Sequence, residues 1–307
     1  MSFEPVAVAP SPLLPGATDG RLYILPLPDL HLPKSASAAI LDNRAYLERM
    51  DYAVLLGDAV SCYGTDREYG EVNRFLNALG LPYTPVSGNH EWFFRVFDDD
   101  SGLYGDVWAE ADAAEQRDNL RRFQAFYEVA PLWRSWSHAL GHFVFLSLDG
   151  AGTGKQESLS EPQLEFLALE LETARDRPLY VFCHAPVMLD QRLDLVYYDH
   201  ERTGCVELLG QLKARLTKRE APTIWISGHV HLRPDHYLFA PYRAGGNVWQ
   251  IHCPDGWGYG RWMREQYVPK RYPGLYTRHL EIDAGGVDLV AHDQREQVDI
   301  GRCRIDF

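Results

Sequence analysis

Ser87-Gly88-Asn89-His90-Glu91 closes a short apolar run, Leu81 to Val86, and sets an amide oxygen beside an imidazole where a strand should end. By itself it is a turn of a common kind. Its meaning comes from four other stretches: Asp29-Leu30-His31 and Gly57-Asp58 before it, His184 and Gly228-His229-Val230-His231 after it. Each carries oxygen or nitrogen donors, and each follows an apolar run of strand length. Together they read as ligands for two metal ions, with one histidine, His90, left unligated.

Residues two apart on an extended strand point the same way. Asp29 and His31 are therefore expected to converge on one ion, and so are His229 and His231 if that stretch stays extended. Asp58, Asn89 and His184 each sit just past an apolar strand. Where such strands run parallel, their C-terminal ends gather along one rim, the usual place for chemistry in α/β sheets. Donors that are all O or N, with no thiolate, suit Mn, Fe or Zn.

The runs around these motifs alternate between strand and helix. Strands are expected at Arg21–Leu25, Tyr52–Leu56, Leu81–Val86, His142–Leu148, Leu179–Phe182 and Thr223–Ile226. Between them the apolar spacing predicts helices over Ser35–Met50, from the capping box Thr65-Asp66-Arg67-Glu68 to Gly80, over about Ala109–Val129, after Ser160-Glu161-Pro162-Gln163, and over Cys205–Arg219. From Leu238 to Leu289 the pattern is β-rich. The organisation expected is a Pro-rich arm over 1–20 and a single α/β domain over 21–307.

Composition narrows the function classes. A formal net charge of −13 with no basic run argues against nucleic acid or an anionic membrane as partner. Hydrophobic content of 46% and charged content of 24% are those of a globular chain. Cys62, Cys183, Cys205, Cys253 and Cys303 never form a Cys-x-x-Cys pair, so neither a disulfide framework nor a thiolate zinc site is expected. Met1 to Gly20 lacks a basic start, and four prolines break its apolar residues, so it does not read as a signal peptide. No run is long enough to span a bilayer, and a cytoplasmic location is expected.

The whole set, Asp29-x-His31, Gly57-Asp58, Gly88-Asn89-His90-Glu91, His184 and Gly228-His229-Val230-His231, resembles the calcineurin-like metallophosphoesterase superfamily over about Leu22 to Leu289. Ser158 through Gln163 to Leu167 also resembles the helix before the fourth motif in bacterial cyclic-nucleotide phosphodiesterase-like members. The resemblance implies a four-layer α/β/β/α sandwich, two mixed sheets flanked by helices, with the metal site at the C-terminal ends of strands. It implies one ion on Asp29, His31 and His231, the other on Asn89, His184 and His229, and Asp58 bridging. It also implies that His90, held beside Asn89, faces the scissile phosphate.

Ser61, Cys62 and Tyr63 follow Asp58 where protein Ser/Thr phosphatases carry Asp-Arg-Gly and purple acid phosphatases a tyrosine ligand, so both those branches recede. Pro28 stands where relatives often have Ser. The expected reaction is in-line attack on a phosphate ester by a hydroxide shared between ions about 3.5–4 Å apart. Two divalent ions against Asp29 and Asp58 leave two surplus positive charges before hydroxide binds, so an acidic protein can still take an anionic substrate. That substrate is expected to be a small-molecule or nucleotide phosphodiester, with phosphomonoesters or nucleotide pyrophosphates as alternatives. A metal-bound scaffold without turnover is the alternative from another class. Oligomeric state is not legible.

Gly150 to Gln156 mimics a P-loop but is one residue short and has Gln for Ser/Thr. Trp257, Tyr259 and Trp262, and Arg192, Tyr197, Tyr198 and His200, are candidates for the rim. The loops Trp92–Asp106, Met188–Arg202 and Pro254–Arg264 are expected to shape specificity.

Overall fold

Tyr52-Ala53-Val54-Leu55-Leu56 shows how the chain is layered. Tyr52, Val54 and Leu56 face one apolar core, Ala53 and Leu55 another, and all five are buried. A strand covered on both faces needs a continuous apolar run, not an alternating one. The same holds for the other runs that precede a motif, which is why they stood out in the sequence.

The computed structural model describes residues 20–33, 37–61, 64–95, 109–189, 205–232, 234–256 and 275–307. Residues 1–19, Cys62, Tyr63, the acidic patch Asp98–Asp100, most of the three loops expected to set specificity, and all seven rim candidates lie outside them. The elements run β1 (Leu22–Leu27), α1 (Ala38–Asp42), α2 (Arg44–Leu47), β2 (Tyr52–Leu56), α3 (Asp66–Leu79) and β3 (Tyr83–Val86). Next come α4 (Ala113–Tyr127), β4 (Trp133–His138), β5 (Gly141–Leu146), α5 (Glu161–Thr173), β6 (Leu179–Cys183), β7 (Val187–Met188), β8 (Val206–Glu207) and α6 (Gly210–Lys218). The chain ends with β9 (Thr223–Ser227), β10 (Tyr242–Gly245), β11 (Val248–His252), β12 (Tyr276–Asp283), β13 (Gly286–Asp293) and β14 (Val298–Asp306).

Two six-stranded mixed sheets carry the fold, in the orders β14-β13-β12-β1-β2-β3 and β10-β11-β9-β6-β5-β4. In the first, β1, β2 and β3 run parallel; in the second, β5, β6, β9 and β11 do. Leu22, Ile24, Val54 and Leu56 meet Phe145, Phe182, Ile224 and Ile226 in the core between the sheets. A second core lies between the first sheet and α1–α4, a third between the second sheet and α5 and α6. Three cores separate four layers, α/β/β/α, as expected. Among the described residues no helix is long and apolar enough to cross a membrane.

The helix expected over Ser35–Met50 is two short ones. Asn43 breaks it at φ −85°, ψ 65°; its side chain accepts from the Tyr46 N–H at 3.3 Å and donates to Gln294 at 3.1 Å. An Asn that can cap a new helix competes with continuing the old one. Cys205–Arg219 is shorter than expected because Val206–Glu207 pairs in parallel with Val187–Met188 before α6 begins. The hairpin strand Trp133–His138 and the final strand β14 were not anticipated. Both are edge strands, β14 almost wholly exposed and β4 only half-buried, so their sequences lack a buried run.

The Thr65 capping box forms as expected. Thr65 Oγ1 accepts from the Glu68 N–H at 3.2 Å, and the Glu68 carboxylate accepts from the Thr65 N–H at 2.9 Å. Thr65→Ala should cost about 1 kcal/mol, read as a lower urea midpoint at unchanged slope. An unchanged midpoint would mean the cap adds nothing to global stability.

Candidate metal centre

Asp29, His31, Asp58, His229 and His231 all have left-handed backbone, with φ of 51°, 45°, 52°, 67° and 48°. Asp and His tolerate this region better than bulky residues do, yet five such residues in one place signal a demanding site. This corrects the route expected from sequence. Asp29 and His31 lie beyond the end of β1, and His229 and His231 beyond β9, so neither pair converges by strand alternation. Asp29 and His31 still come together, through left-handed turns, in one grouping of donors, whereas His229 and His231 fall in different groupings, so the second pair does not converge as expected. Asp29 N–H reaches Gly57 O and His31 N–H reaches Asp58 O, both at 3.0 Å, stitching the first turn to the second.

Parallel strands deliver the remaining residues to the same rim: Asp58 after β2, Asn89 after β3 and His184 after β6. Three groupings of side-chain donors result: Asp29, His31 and His231; Asp58, His184 and His229; and His31, Asp58 and His90. His90 thus lies within reach of the same centre, its ring edge-on to His31 at 4.6 Å between centroids. Asn89 has its Oδ1 buried and lacking a hydrogen-bond donor.

The carboxylates divide their oxygens. Asp29 Oδ2 accepts from the His229 N–H at 2.9 Å, while its Oδ1 is buried without a donor. Asp58 Oδ1 accepts from the His90 N–H at 2.8 Å, and Oδ2 lies 3.2 Å from His184 Nε2. His184 Nδ1 is 2.7 Å from Leu56 O. A carbonyl can only accept, so Nδ1 carries a proton and Nε2 faces a carboxylate, a pairing that is favourable only with a proton or a metal ion between them. His231 repeats the pattern, with Nδ1 2.9 Å from Asp255 and Nε2 3.3 Å from Asp29 Oδ1.

Lone pairs facing lone pairs call for a cation between them, and these residues fit metal ions. The proton affinities say the same. Burial lowers the pKa of His184, but Asp58 and then Asp29 outweigh it and push it up to about 10. Burial is likewise overcome at His231 by Asp29 and Asp255, to about 9. His90, where burial dominates, falls to about 4.

Three carboxylates around the centre were given no role by the sequence, although Glu91 stands in the central motif. Glu91 is a clamp: its carboxylate accepts from the backbone N–H groups of Gly88, Asp58, Ala59 and Val60 at 2.7–3.3 Å, locking the Asp58 turn to the Asn89 turn. Asp255 orients His231, as carboxylates behind metal-binding histidines commonly do. Glu157 Oε1 lies 3.2 Å from His229 Nε2, and its neighbour Gln156 meets the Asn89 amide at 3.4 Å. Burial raises the Glu157 pKa, but the bond to His229 more than offsets this and holds it below the ordinary value. All three could have been sought by one rule, since β3, β11 and β5 are parallel strands whose C-terminal loops face this rim.

Gly57 and Gly88 are among the glycines required by contact. A Cβ on Gly57, at φ +84°, would lie 2.5 Å from the His184 ring, and one on Gly88 would lie 2.2 Å from Asp58 Oδ1. Gly57→Ala combines left-handed strain with that overlap and should destabilise the metal-free protein by about 2 kcal/mol or more. Urea unfolding checks it; wild-type stability with a wild-type metal content would show that the turn gives way freely.

Residues 23–233 match the calcineurin-like phosphoesterase family. No curated protein sequence matches the chain. Among solved structures, the chain is similar to purple acid phosphatase PPD1 from yellow lupin, with a TM-score of 0.60 and 14% identity over 93% of this chain; it spans 54% of that protein's length. It is also similar to GAP50, described as the anchor in the inner membrane complex of Plasmodium, with a TM-score of 0.54 and 13% identity over 94% of this chain and 89% of that one. PhoD gives a TM-score of 0.54 and 11% identity over 99% of this chain and 70% of that one. At such identities the likeness is one of fold.

Proposed function

The chain belongs to the calcineurin-like phosphoesterase family, and on that premise we propose that it is a metal-dependent phosphohydrolase of small-molecule or nucleotide phosphodiesters. Asp29, His31 and His231 would hold one ion, Asn89, His184 and His229 the other, and Asp58 both. The observation that carries this is Asp58 Oδ2 facing Nε2 of His184 at 3.2 Å, with Oδ1 of Asp29 and Oδ1 of Asn89 both buried without a hydrogen-bond donor. When bound, the two ions supply positive charge against the phosphoryl oxygens and acidify a water toward neutral pH.

The chain's own residues do the rest. Leu56 O and Asp255 fix the His184 and His231 rings with Nε2 inward. Glu91 holds the Asp58 and Asn89 turns in register, which keeps the donors from spreading when substrate enters. Asn89 and His90 form the substrate-facing pair, and His90 protonates the departing oxygen. Its low pKa in the free site rises once a negatively charged phosphate lies beside it. The likeness to GAP50 is to a protein described as an anchor, so fold alone does not separate turnover from a scaffold. The intact donor set and His90 favour turnover.

Purified protein loaded with Mn²⁺ should hydrolyse bis-p-nitrophenyl phosphate faster than Mn²⁺ alone, and faster than it hydrolyses p-nitrophenyl phosphate. Failure on every ester in the metal-loaded state would leave the scaffold reading in its place.

A further inference from the structure

The glycine-rich stretch Gly150 to Gln156, rejected as a nucleotide-binding loop, ends at the candidate metal centre. It follows β5, the parallel neighbour of β6, and its last turn sets Gln156 against Asn89 and Glu157 against His229. The two contacts fall on the two flanks of the second ion's proposed position. Lys155, two residues earlier, turns outward to an exposed ion pair with Glu207 at 3.0 Å, so its charge is not brought inward. Among the described residues, the ion-pair partner of Glu157 is His229.

Glu157 therefore places an extra negative charge just behind a metal-facing histidine. Two divalent ions against Asp29 and Asp58 leave two positive charges in surplus before a hydroxide binds, and Asp255 behind His231 and Glu157 behind His229 each draw on it. Asp255 flanks the first ion's proposed position and Glu157 the second's. A negative charge there repels a phosphomonoester, which carries two charges near neutral and alkaline pH, more than a phosphodiester, which carries one. We propose that Glu157 is a specificity-determining residue that selects against dianionic phosphates and so makes the site a diesterase. The inference rests on the phosphohydrolase reading above and names the group that decides the substrate class within it. A unit charge held within several ångströms of a bound anion, at the effective dielectric of a protein site, shifts affinity by roughly tenfold.

The test uses metal-loaded protein at pH 8 and two stable anions: inorganic phosphate, chiefly a dianion there, and dimethyl phosphate, a monoanion. Titration calorimetry gives both dissociation constants, and elemental analysis gives metal content. Glu157→Gln keeps an oxygen for the His229 N–H but removes the charge. It should tighten phosphate relative to dimethyl phosphate by roughly tenfold with both ions retained, and should raise monoester over diester turnover in the same direction. Glu157→Asp, which keeps the charge, should leave the affinity ratio near wild type; Glu157→Ala, which removes the charge with less bulk, should shift it as the Gln variant does and carries the test if the Gln variant does not fold.

An unchanged ratio in Glu157→Gln overturns the inference, whether or not an ion is lost; with loss of an ion, Glu157 is only a support for His229. A tenfold shift in Glu157→Asp overturns it too, because geometry and not charge would be responsible. Wild-type protein that binds neither anion and turns over no ester fails the parent reading instead, and the two failures are thereby distinct.

Discussion

Asp58→Asn should lower kcat on any phosphate ester by about 10³ or more, equivalent to some 4 kcal/mol of lost transition-state stabilisation, and should leave fewer than two ions per chain. Asp58 and His31 each stand in two of the three groupings, but Asp58 is the carboxylate of the two, with an oxygen for each of two ions; it is grouped with His184 and His229 and with His31 and His90. A terminal ligand serves one ion, so its loss should spare the other. An amide nitrogen facing the His184 lone pair cannot replace a carboxylate oxygen, and the charge that draws both ions falls by one. The His90 N–H to Oδ1 contact can survive in the Asn variant if the amide oxygen takes that side, so the fold should hold. Elemental analysis beside a urea melt separates the cases. Two ions and near-normal rate would show that Asp58 does not bridge.

His90→Ala should keep both ions and lose roughly 10²–10⁴ in rate on a substrate with an alkoxide leaving group, the usual span for general acid catalysis. The ring is 3% exposed, packed between His31 and Phe94, with Nε2 3.8 Å from Asp58 Oδ2. p-Nitrophenolate departs without a proton, so its rate should fall much less. Comparable losses on both leaving groups would make His90 a hydrogen-bond donor to a phosphoryl oxygen instead. Loss of an ion would make it a ligand, the role that its grouping with His31 and Asp58 leaves open on distance alone.

The strands and their motif residues were legible because burial on both faces writes itself as an uninterrupted apolar run, as in Tyr52–Leu56, and the polar residue that ends the run is then conspicuous. The capping box at Thr65 was legible because it is local, needing only residues three apart. Asn43 was not: it breaks a helix through partners at Gln294 and His292, some 250 positions away in the chain. The edge strands β4 and β14 were missed because an edge with an open face need not be apolar.

At the centre, the sequence by itself singled out the candidate donors, because Asp, Asn and His at successive strand ends form a recognisable group. Only the tertiary structure decided how those donors converge. Left-handed φ at Asp29, His31, Asp58, His229 and His231 is enforced by contacts such as His229 N–H to Asp29 and His90 N–H to Asp58, made between turns far apart in sequence. The same holds for Glu91, Glu157 and Asp255. A carboxylate near a glycine-rich turn looks like any other on paper, and it acquires a role only when a parallel strand ends its loop against a particular histidine or a row of backbone N–H groups.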